Sequence, residues 1–187
     1  MHIEQLQVVG LYCGEHSEVI TKSACQSITL DWDGVGGDAR HRGDRRGTGG
    51  YTRKWSACVG NEIEQLRLNW NASLAQSGSP FQVSRIDPSW LGANILFSDR
   101  ENFSTFYPHV FKFPSGLVLY ASMTNQPCIY AGLNILRQLY EDRPEEELKS
   151  AAALFPKASR SLRGIVGGVV PENYGSINIG DMVSCYS

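Results

Sequence analysis

The sequence predicts a mainly β fold, a β-barrel-like core with a few inserted α-helices. Short apolar segments recur along the whole chain, whereas only a few segments show helical periodicity. The chain has 187 residues, of which 42% are hydrophobic and 19% charged, and this composition suits a compact core. We therefore expect a single domain that spans residues 1–187.

Strands are predicted where β-branched and alternating apolar residues cluster. Residues 27–32 are an example, because Ile28, Leu30 and Trp32 fall on one face of an extended chain. Residues 91–97 are predicted to be a buried strand that contains Asn94. Gly180 and Asp181 predict a bulge or turn inside the last strand. The predicted strands and extended segments are 6–12, 27–32, 55–59, 81–86, 91–97, 116–123, 162–170 and 176–185.

Helices are predicted at 61–70, 133–140 and 143–154. In the first, Ile63, Leu66 and Trp70 recur at helical spacing, and Asn61 is the expected N-cap. The third helix is expected to begin at Pro144, which suits a first helical turn and is followed by three glutamates.

The composition excludes several classes of protein. No apolar run approaches the length of a membrane span, and the first residues carry no basic segment typical of a signal peptide. The five cysteines are irregularly spaced, without a zinc-ligand pattern, so we expect reduced thiols in a cytoplasmic protein.

The charge is unevenly distributed, although the net charge is only −2. Residues 38–54 carry six lysines and arginines against two aspartates, within a glycine-rich stretch. This segment is either a solvated loop or an anion-binding rim, since arginine matches phosphate oxygens. Nucleic acid is not the expected partner, because the segment has few aromatic residues for base stacking.

Cys128 is the strongest candidate for chemistry. It follows a predicted strand and the polar sequence Asn125-Gln126-Pro127, and a predicted helix begins shortly after it. A thiolate in such a loop can be a nucleophile, a sulfur carrier or a soft-metal ligand. The alternative is a buried structural thiol, which is our expectation for the other four cysteines.

Other polar residues interrupt apolar segments. Asn94 either fixes a turn or reaches a ligand, and Arg163 needs an anionic partner, which is Asp181, Glu172 or a ligand oxyanion. Asp38 is expected to cap a loop. His41 is expected at the surface, although a Cys128–His41 pair stays open.

Several motifs together resemble the MOSC domain family, named for the C-terminal domain of molybdenum cofactor sulfurases, and in particular its small stand-alone bacterial members. They occur in the order expected of that family and span residues 6–183. The matching segments are Lys22, Gly34-Val-Gly-Gly-Asp38, Trp90-Leu-Gly-Ala-Asn-Ile95, Phe113-Pro-Ser-Gly116, Asn125-Gln-Pro-Cys128, Leu162-Arg-Gly-Ile-Val166 and Gly175-Ser-Ile-Asn-Ile-Gly-Asp181.

The resemblance implies a β-barrel-like fold and a role for Cys128 in carrying sulfur or ligating molybdenum. Lys22, Asp38, Asn94, Asn125 and Arg163 would then bind the molybdenum cofactor (molybdopterin). Pyridoxal phosphate belongs to a separate domain of larger relatives and is not expected here.

The function implied is that of a protein that binds molybdenum cofactor or relays sulfur. Its enzymatic form is the molybdenum component of a reductase for N-hydroxylated compounds, and the partner would be an electron donor or a sulfurase. The alternative is a cofactor or anion carrier without turnover. The segment after Asp38 is shorter and richer in arginine than the family pattern.

Overall fold

A computed structural model describes residues 3–16, 19–41 and 52–187. Most strands are short, and the helices interrupt the strand order in the middle of the chain. The strands are β1 (Ile3–Cys13), β2 (Ser23–Ala24), β3 (Ser27–Asp31), β4 (Gly34–Val35), β5 (Trp55–Val59), β6 (Ile95–Phe97), β7 (Val110–Lys112), β8 (Val118–Thr124), β9 (Ile165–Val169), β10 (Gly175–Asn178) and β11 (Met182–Tyr186). The helices are α1 (Gly60–Gln76), α2 (Ile129–Leu139), α3 (Glu145–Ala152) and α4 (Phe155–Ala158), with a 3₁₀ helix at Pro88–Leu91.

Seven strands form a closed barrel in the order β11-β7-β8-β9-β5-β6-β1, and β1 returns to pair with β11. All neighbours are antiparallel except β5 and β6. β2 extends the sheet from the end of β1, and β10, β3 and β4 form a small second sheet. The prediction of a mainly β, barrel-like fold with inserted helices is therefore confirmed.

The barrel interior is filled by large apolar side chains. Phe97 and Phe111 stack with ring centroids 5.6 Å apart, and Trp55 meets Phe111 edge to face at 5.7 Å. Trp55 also donates its indole N–H to the Gly168 carbonyl at 2.8 Å, so its polar atom is satisfied inside the core. This rigid interior supports the strand ends that carry the polar residues described below.

The helices pack around a second hydrophobic cluster on one side of the barrel. Trp70 of α1 meets Phe155 of α4 edge to face at 4.9 Å, and Leu133 and Leu136 of α2 are buried in the same cluster. In the described part of the chain, no helix has the length and apolar character needed to cross a membrane.

Two local predictions for the first half are wrong, and both errors come from long-range contacts. The helix N-cap is Val59 rather than Asn61, because Asp99 accepts a hydrogen bond from the Asn61 N–H at 2.9 Å. Residues 81–86 form no strand. Instead, the Asn71 side chain donates to the Val83 carbonyl at 2.9 Å and accepts from its N–H at 2.7 Å. An amide side chain thus replaces the strand partner.

The second half differs from prediction in four places. The segment predicted at 176–185 is two strands, β10 and β11, which are separated by a turn at Gly180, where φ is +94°; the predicted bulge or turn at this position is thus confirmed. Pro144 is the N-cap of α3 rather than its first residue, and β7 was not predicted. Asn94 precedes β6 instead of lying inside it.

Candidate functional site

Four polar side chains form a buried cluster at one end of the barrel, which we call the Lys22 cluster: Lys22, Asp38, His41 and Asn94. All four are at most 5% exposed. The Lys22 ammonium lies 2.5 Å from Asp38 Oδ2 and 2.8 Å from His41 Nδ1. Asn94 donates to Asp38 Oδ2 at 2.8 Å. The structure therefore brings together three of the residues expected to bind a cofactor.

The Asp38 carboxylate is the centre of the cluster. Its Oδ2 also accepts from the Gly14 N–H at 3.2 Å, and its Oδ1 accepts from the Arg40 and His41 N–H groups, each at 2.9 Å. The expectation that Asp38 caps a loop agrees with these two Oδ1 bonds. The contact with Lys22 makes the carboxylate the anionic half of a buried ion pair as well.

The charge states of the cluster follow from burial and from the close charges. Burial alone would raise the pKa of Asp38, but His41 and Lys22 outweigh burial and hold that pKa well below its usual range. Burial lowers the pKa of Lys22 to about 8, although Asp38 opposes this shift. Near pH 7 the cluster therefore contains a carboxylate and an ammonium group.

His41 is buried, with 1% of its surface exposed, so the expected surface position is wrong. Burial and the charge of Lys22 lower its pKa to about 3, and the ring is neutral at pH 7. Because the Lys22 ammonium can only donate, His41 Nδ1 must accept, which leaves the ring proton on Nε2. Within the described residues, this buried Nε2–H has no hydrogen-bond partner.

Cys128 is the N-cap of α2, with extended backbone angles (φ −147°, ψ 140°), and its side chain is half-buried. Its loop is bound by Arg163, because Arg163 Nη1 donates to the Gln126 carbonyl at 2.7 Å, two residues before Cys128. Cys128 is thus neither sealed in the core nor far from a cation. The thiol occupies the loop position that its sequence context predicted.

Arg163 is buried, and backbone carbonyls rather than Asp181 or Glu172 hold it. Its Nη1 donates to the Gln126 carbonyl at 2.7 Å and its Nη2 to the Leu91 carbonyl at 3.2 Å. Burial lowers the pKa of Arg163 to about 10, and Cys128 opposes that change. The guanidinium still carries its charge at neutral pH.

Positive charge connects the Lys22 cluster with the Cys128–Arg163 pair. The charge of Arg53 lowers the pKa values of Lys22, His41 and Arg163. Arg40 acts on Arg163 in the same direction. Arg42, Arg45 and Arg46, which belong to the proposed anion-binding rim, lie outside the described residues.

Close to Cys128, Arg163 Nε and Asn125 Oδ1 also lack partners among the described residues, as do Asn61 Oδ1 and Ser159 Oγ in other parts of the structure. Asn125 is 4% exposed, and its N–H donates to the Gly164 carbonyl at 2.8 Å, so Asn125 is fixed next to Arg163. Unpaired buried polar groups are costly and are common where a ligand completes the hydrogen bonding. With His41 Nε2–H, the site offers two donors and one acceptor that have no partner in the described ranges.

The other cysteines have different surroundings from Cys128. Cys58 and Cys185 are buried, and burial raises the pKa of both thiols, that of Cys185 to about 12. Cys13 and Cys25 are half-buried, and burial raises their pKa values too. No cluster of three or more metal-ligating side chains occurs in the ranges that the structure describes.

Sequence reasoning missed His41 as a member of the site and missed the role of Ser56. The Ser56 hydroxyl donates to the Gly92 carbonyl at 3.0 Å, and the Ser56 N–H donates to Asn94 Oδ1 at 3.2 Å, which orients the Asn94 amide toward Asp38. The spacing Asp38-x-x-His41 was the only pattern that could have pointed to the histidine.

Known proteins resemble this chain in sequence and in structure. The family model described as MOSC domain matches residues 56–184. A Bacillus subtilis protein described as "Putative metal-sulfur cluster biosynthesis proteins YuaD" is 29% identical over 182 residues, covering 95% of this chain and 88% of the relative. The crystal structure of YuaD from Bacillus subtilis superposes with a TM-score of 0.76 at 26% identity, covering 100% of this chain and 99% of that chain.

A more distant structure has the same fold. YiiM from Escherichia coli superposes with a TM-score of 0.57 at 14% identity, covering 98% of this chain and 70% of that protein.

Proposed function

Because the chain belongs to the MOSC domain family, we propose that it binds molybdenum cofactor between the Lys22 cluster and Cys128. The observation that carries this proposal is the buried Arg163 guanidinium, which binds the Gln126 carbonyl at 2.7 Å, two residues before the half-buried Cys128 thiol at the N-terminus of α2. This arrangement presents a soft sulfur ligand beside fixed positive charge.

The residues present fit such a cofactor. Cys128 would supply the thiolate, which is a ligand type that suits molybdenum–sulfur chemistry. Arg163 and Arg53 would face the cofactor phosphate, since guanidinium groups match phosphate oxygens. The unpaired donors His41 Nε2–H and Arg163 Nε–H, and the unpaired acceptor Asn125 Oδ1, supply the hydrogen bonds that a phosphate and a pterin ring require.

Each residue has a separate task in this proposal. Lys22, Asp38 and Asn94 would fix one side of the proposed site through their mutual hydrogen bonds. Arg163 keeps positive charge next to the Cys128 sulfur and is itself fixed by two carbonyls. When bound, the cofactor would supply two-electron oxygen-atom or sulfur chemistry. A reductase acting on N-hydroxylated compounds would also require a separate electron donor.

The test is cofactor retention. Protein made in a molybdenum-supplemented host should copurify with molybdenum and a fluorescent pterin, whereas Cys128→Ser should lose the metal while its melting temperature stays close to that of the wild type. Cys25→Ser is the matched control, because that thiol is also half-buried and should leave retention unchanged. Equal molybdenum content in wild type and Cys128→Ser would refute the proposal.

A second function, sulfur relay, is favoured by the partial exposure of Cys128 and by the description of its relative as a metal-sulfur cluster biosynthesis protein. In that reaction the Cys128 thiolate attacks the outer sulfur of a persulfide donor. The S–S bond of the donor breaks, a new S–S bond forms on Cys128, and the donor leaves as a thiolate.

Mass spectrometry after incubation with a small-molecule persulfide tests this function. A gain of one sulfur atom on the peptide that contains Cys128 supports relay. Persulfide spread equally over Cys13 and Cys25 as well would indicate unspecific thiol chemistry and refute it.

A further inference from the structure

Four successive backbone carbonyls, from Ser89 to Gly92, are bound by four different parts of the proposed site. The Ser89 carbonyl accepts from the Lys22 N–H at 3.2 Å, and the Leu91 carbonyl from Arg163 Nη2 at 3.2 Å. The Gly92 carbonyl accepts from the Ser56 hydroxyl at 3.0 Å. We call residues 89–92 the carbonyl ladder. Both halves of the site are attached to it.

The fourth carbonyl of the ladder, that of Trp90, is bound by Asn134. The Asn134 amide donates to it at 2.9 Å from α2, the helix that begins next to Cys128. The same amide donates to the Thr21 hydroxyl at 2.9 Å, and Thr21 donates back to Asn134 Oδ1 at 3.3 Å. Thr21 is the neighbour of Lys22 in sequence, so one side chain joins three segments.

We propose that Asn134 is a positioning residue that sets the spacing between the Cys128 thiol and the positive charges of the site. Its effect rests on the proposed function of the pocket and acts through α2 on one side and Thr21 on the other. Asn134 would touch neither the cofactor nor the reacting sulfur.

The start of α2 is held by the apolar packing of Ala131 and Leu133 and by the hydrogen bonds of Asn134. Cys128 caps the helix without a side-chain hydrogen bond, and Ile129 and Tyr130 in the first turn are exposed, 37% and 69%. Apolar packing holds the helix on its buried face, but packing specifies direction poorly compared with hydrogen bonds of defined geometry. The polar contacts of Asn134 therefore fix where the first turn of α2 lies relative to the ladder.

The carbonyl ladder has a fixed backbone conformation. A shift of α2 relative to the ladder would therefore change the spacing between Cys128 and the charged side chains that bind the ladder. Gly92 ends the 3₁₀ helix with φ +78°, a conformation that favours glycine, and Asp87 caps its start by accepting from the Ser89 N–H at 2.9 Å. Arg163 and Asn134 bind adjacent carbonyls, those of Leu91 and Trp90. A shift of α2 would change the distance between Cys128 and the guanidinium directly.

The experiment compares alkylation of Cys128 by anionic iodoacetate and by neutral iodoacetamide, followed on its own peptide by mass spectrometry. Positive charge near the sulfur favours the anionic reagent, and the ratio of the two rates cancels the thiolate fraction. This readout requires no cofactor. If the cofactor proposal fails while the positive charge near Cys128 is as proposed, the wild type will have a high iodoacetate-to-iodoacetamide ratio and yet retain no molybdenum.

We expect Asn134→Ala to lower the iodoacetate-to-iodoacetamide ratio by about threefold, the size expected when a unit charge moves about 2 Å away at intermediate dielectric. Thr21→Val should lower it in the same direction, whereas Thr21→Ser, which keeps the hydroxyl, should retain the wild-type ratio. Gln138→Ala is the matched control, because Gln138 is an exposed residue of the same helix.

A purely structural role would give a different pattern. Asn134→Ala would then lower the melting temperature while the ratio stayed at the wild-type value, and that result would overturn the proposal. If Asn134→Ala does not fold, the alkylation ratio of Thr21→Val tests the proposal instead. A wild-type iodoacetate-to-iodoacetamide ratio in Thr21→Val would refute the positioning role.

Discussion

Replacing Asp38 by asparagine should destabilise the protein severely. The carboxylate accepts five hydrogen bonds, and Asn has an NH₂ group in place of one oxygen. If the NH₂ replaces Oδ2, it faces the donors of Lys22, Gly14 and Asn94. If it replaces Oδ1, it faces the N–H groups of Arg40 and His41. In either orientation the new NH₂ group faces other hydrogen-bond donors. The Lys22 ammonium also loses its counter-charge.

The expected loss is about 3–5 kcal/mol, the usual cost of removing one partner from a buried ion pair. For a protein of this size it corresponds to a fall in melting temperature of about 6–20 °C. Urea unfolding followed by the fluorescence of the fully buried Trp55 and Trp70 measures the free energy of unfolding directly.

The loss should depend on pH in a definite direction. Because the pKa of Lys22 is lower in the folded protein than in the unfolded chain, stability rises with pH through the interval between those two values. Without Asp38, the pKa of Lys22 in the folded protein falls further. The free energy of unfolding of Asp38→Asn should therefore begin to rise at a lower pH than that of the wild type. The difference in free energy of unfolding between Asp38→Asn and the wild type should therefore decrease as the pH rises toward about 8.

A double variant separates the charge effect from the mismatch of donors. Lys22→Met combined with Asp38→Asn removes the uncompensated charge and should be more stable than Asp38→Asn alone by at least about 1 kcal/mol. A loss below about 1 kcal/mol for Asp38→Asn, or a double variant no more stable than the single one, would refute this account of the cluster.

Two other substitutions test the support of the site. Gly164→Ala should cost more than about 2 kcal/mol in urea unfolding, because φ is +83° and a Cβ would overlap the Ala57 carbonyl; a loss below about 1 kcal/mol would contradict that geometry. Burial raises the pKa of Glu62, although hydrogen bonds from Ser104 oppose the shift, so its contribution to stability is lost as the pH rises through that raised value. Glu62→Gln should therefore reduce the fall in the free energy of unfolding over this pH range. An unchanged pH dependence would mean that another group causes the fall.

The sequence allowed the fold class to be predicted because local patterns determine it. The alternation of Ile28 and Leu30 and the helical spacing of Ile63, Leu66 and Trp70 report burial, and the structure buries these five residues. The prediction for Trp32 on the same face as Ile28 and Leu30 is wrong, because β3 ends at Asp31 and Trp32 is exposed. Local patterns failed where a distant side chain replaced backbone pairing. The Asn71 amide did so at Val83, and no short window of sequence contains both residues.

The sequence predicts which residues belong to the candidate site, but it does not predict how they are arranged in space. Lys22, Asp38 and Asn94 are each predicted as site residues, but their contacts join positions up to 56 residues apart, which only the barrel topology determines. The burial of His41 was missed because its neighbours in sequence are polar and glycine-rich. Whether these residues bind a cofactor stays a prediction.

The closure of the barrel by β1 and β11 affects how the chain reaches its native state. Ile3 pairs with Tyr186, so the final seam joins residues from opposite ends of the sequence. Contacts of such long separation slow folding, since the chain entropy between them is lost before the seam forms. On the ribosome, one side of β1 has no partner until β11 is made. During that interval it is an open strand edge, and a chaperone that shields it should raise the yield of folded protein.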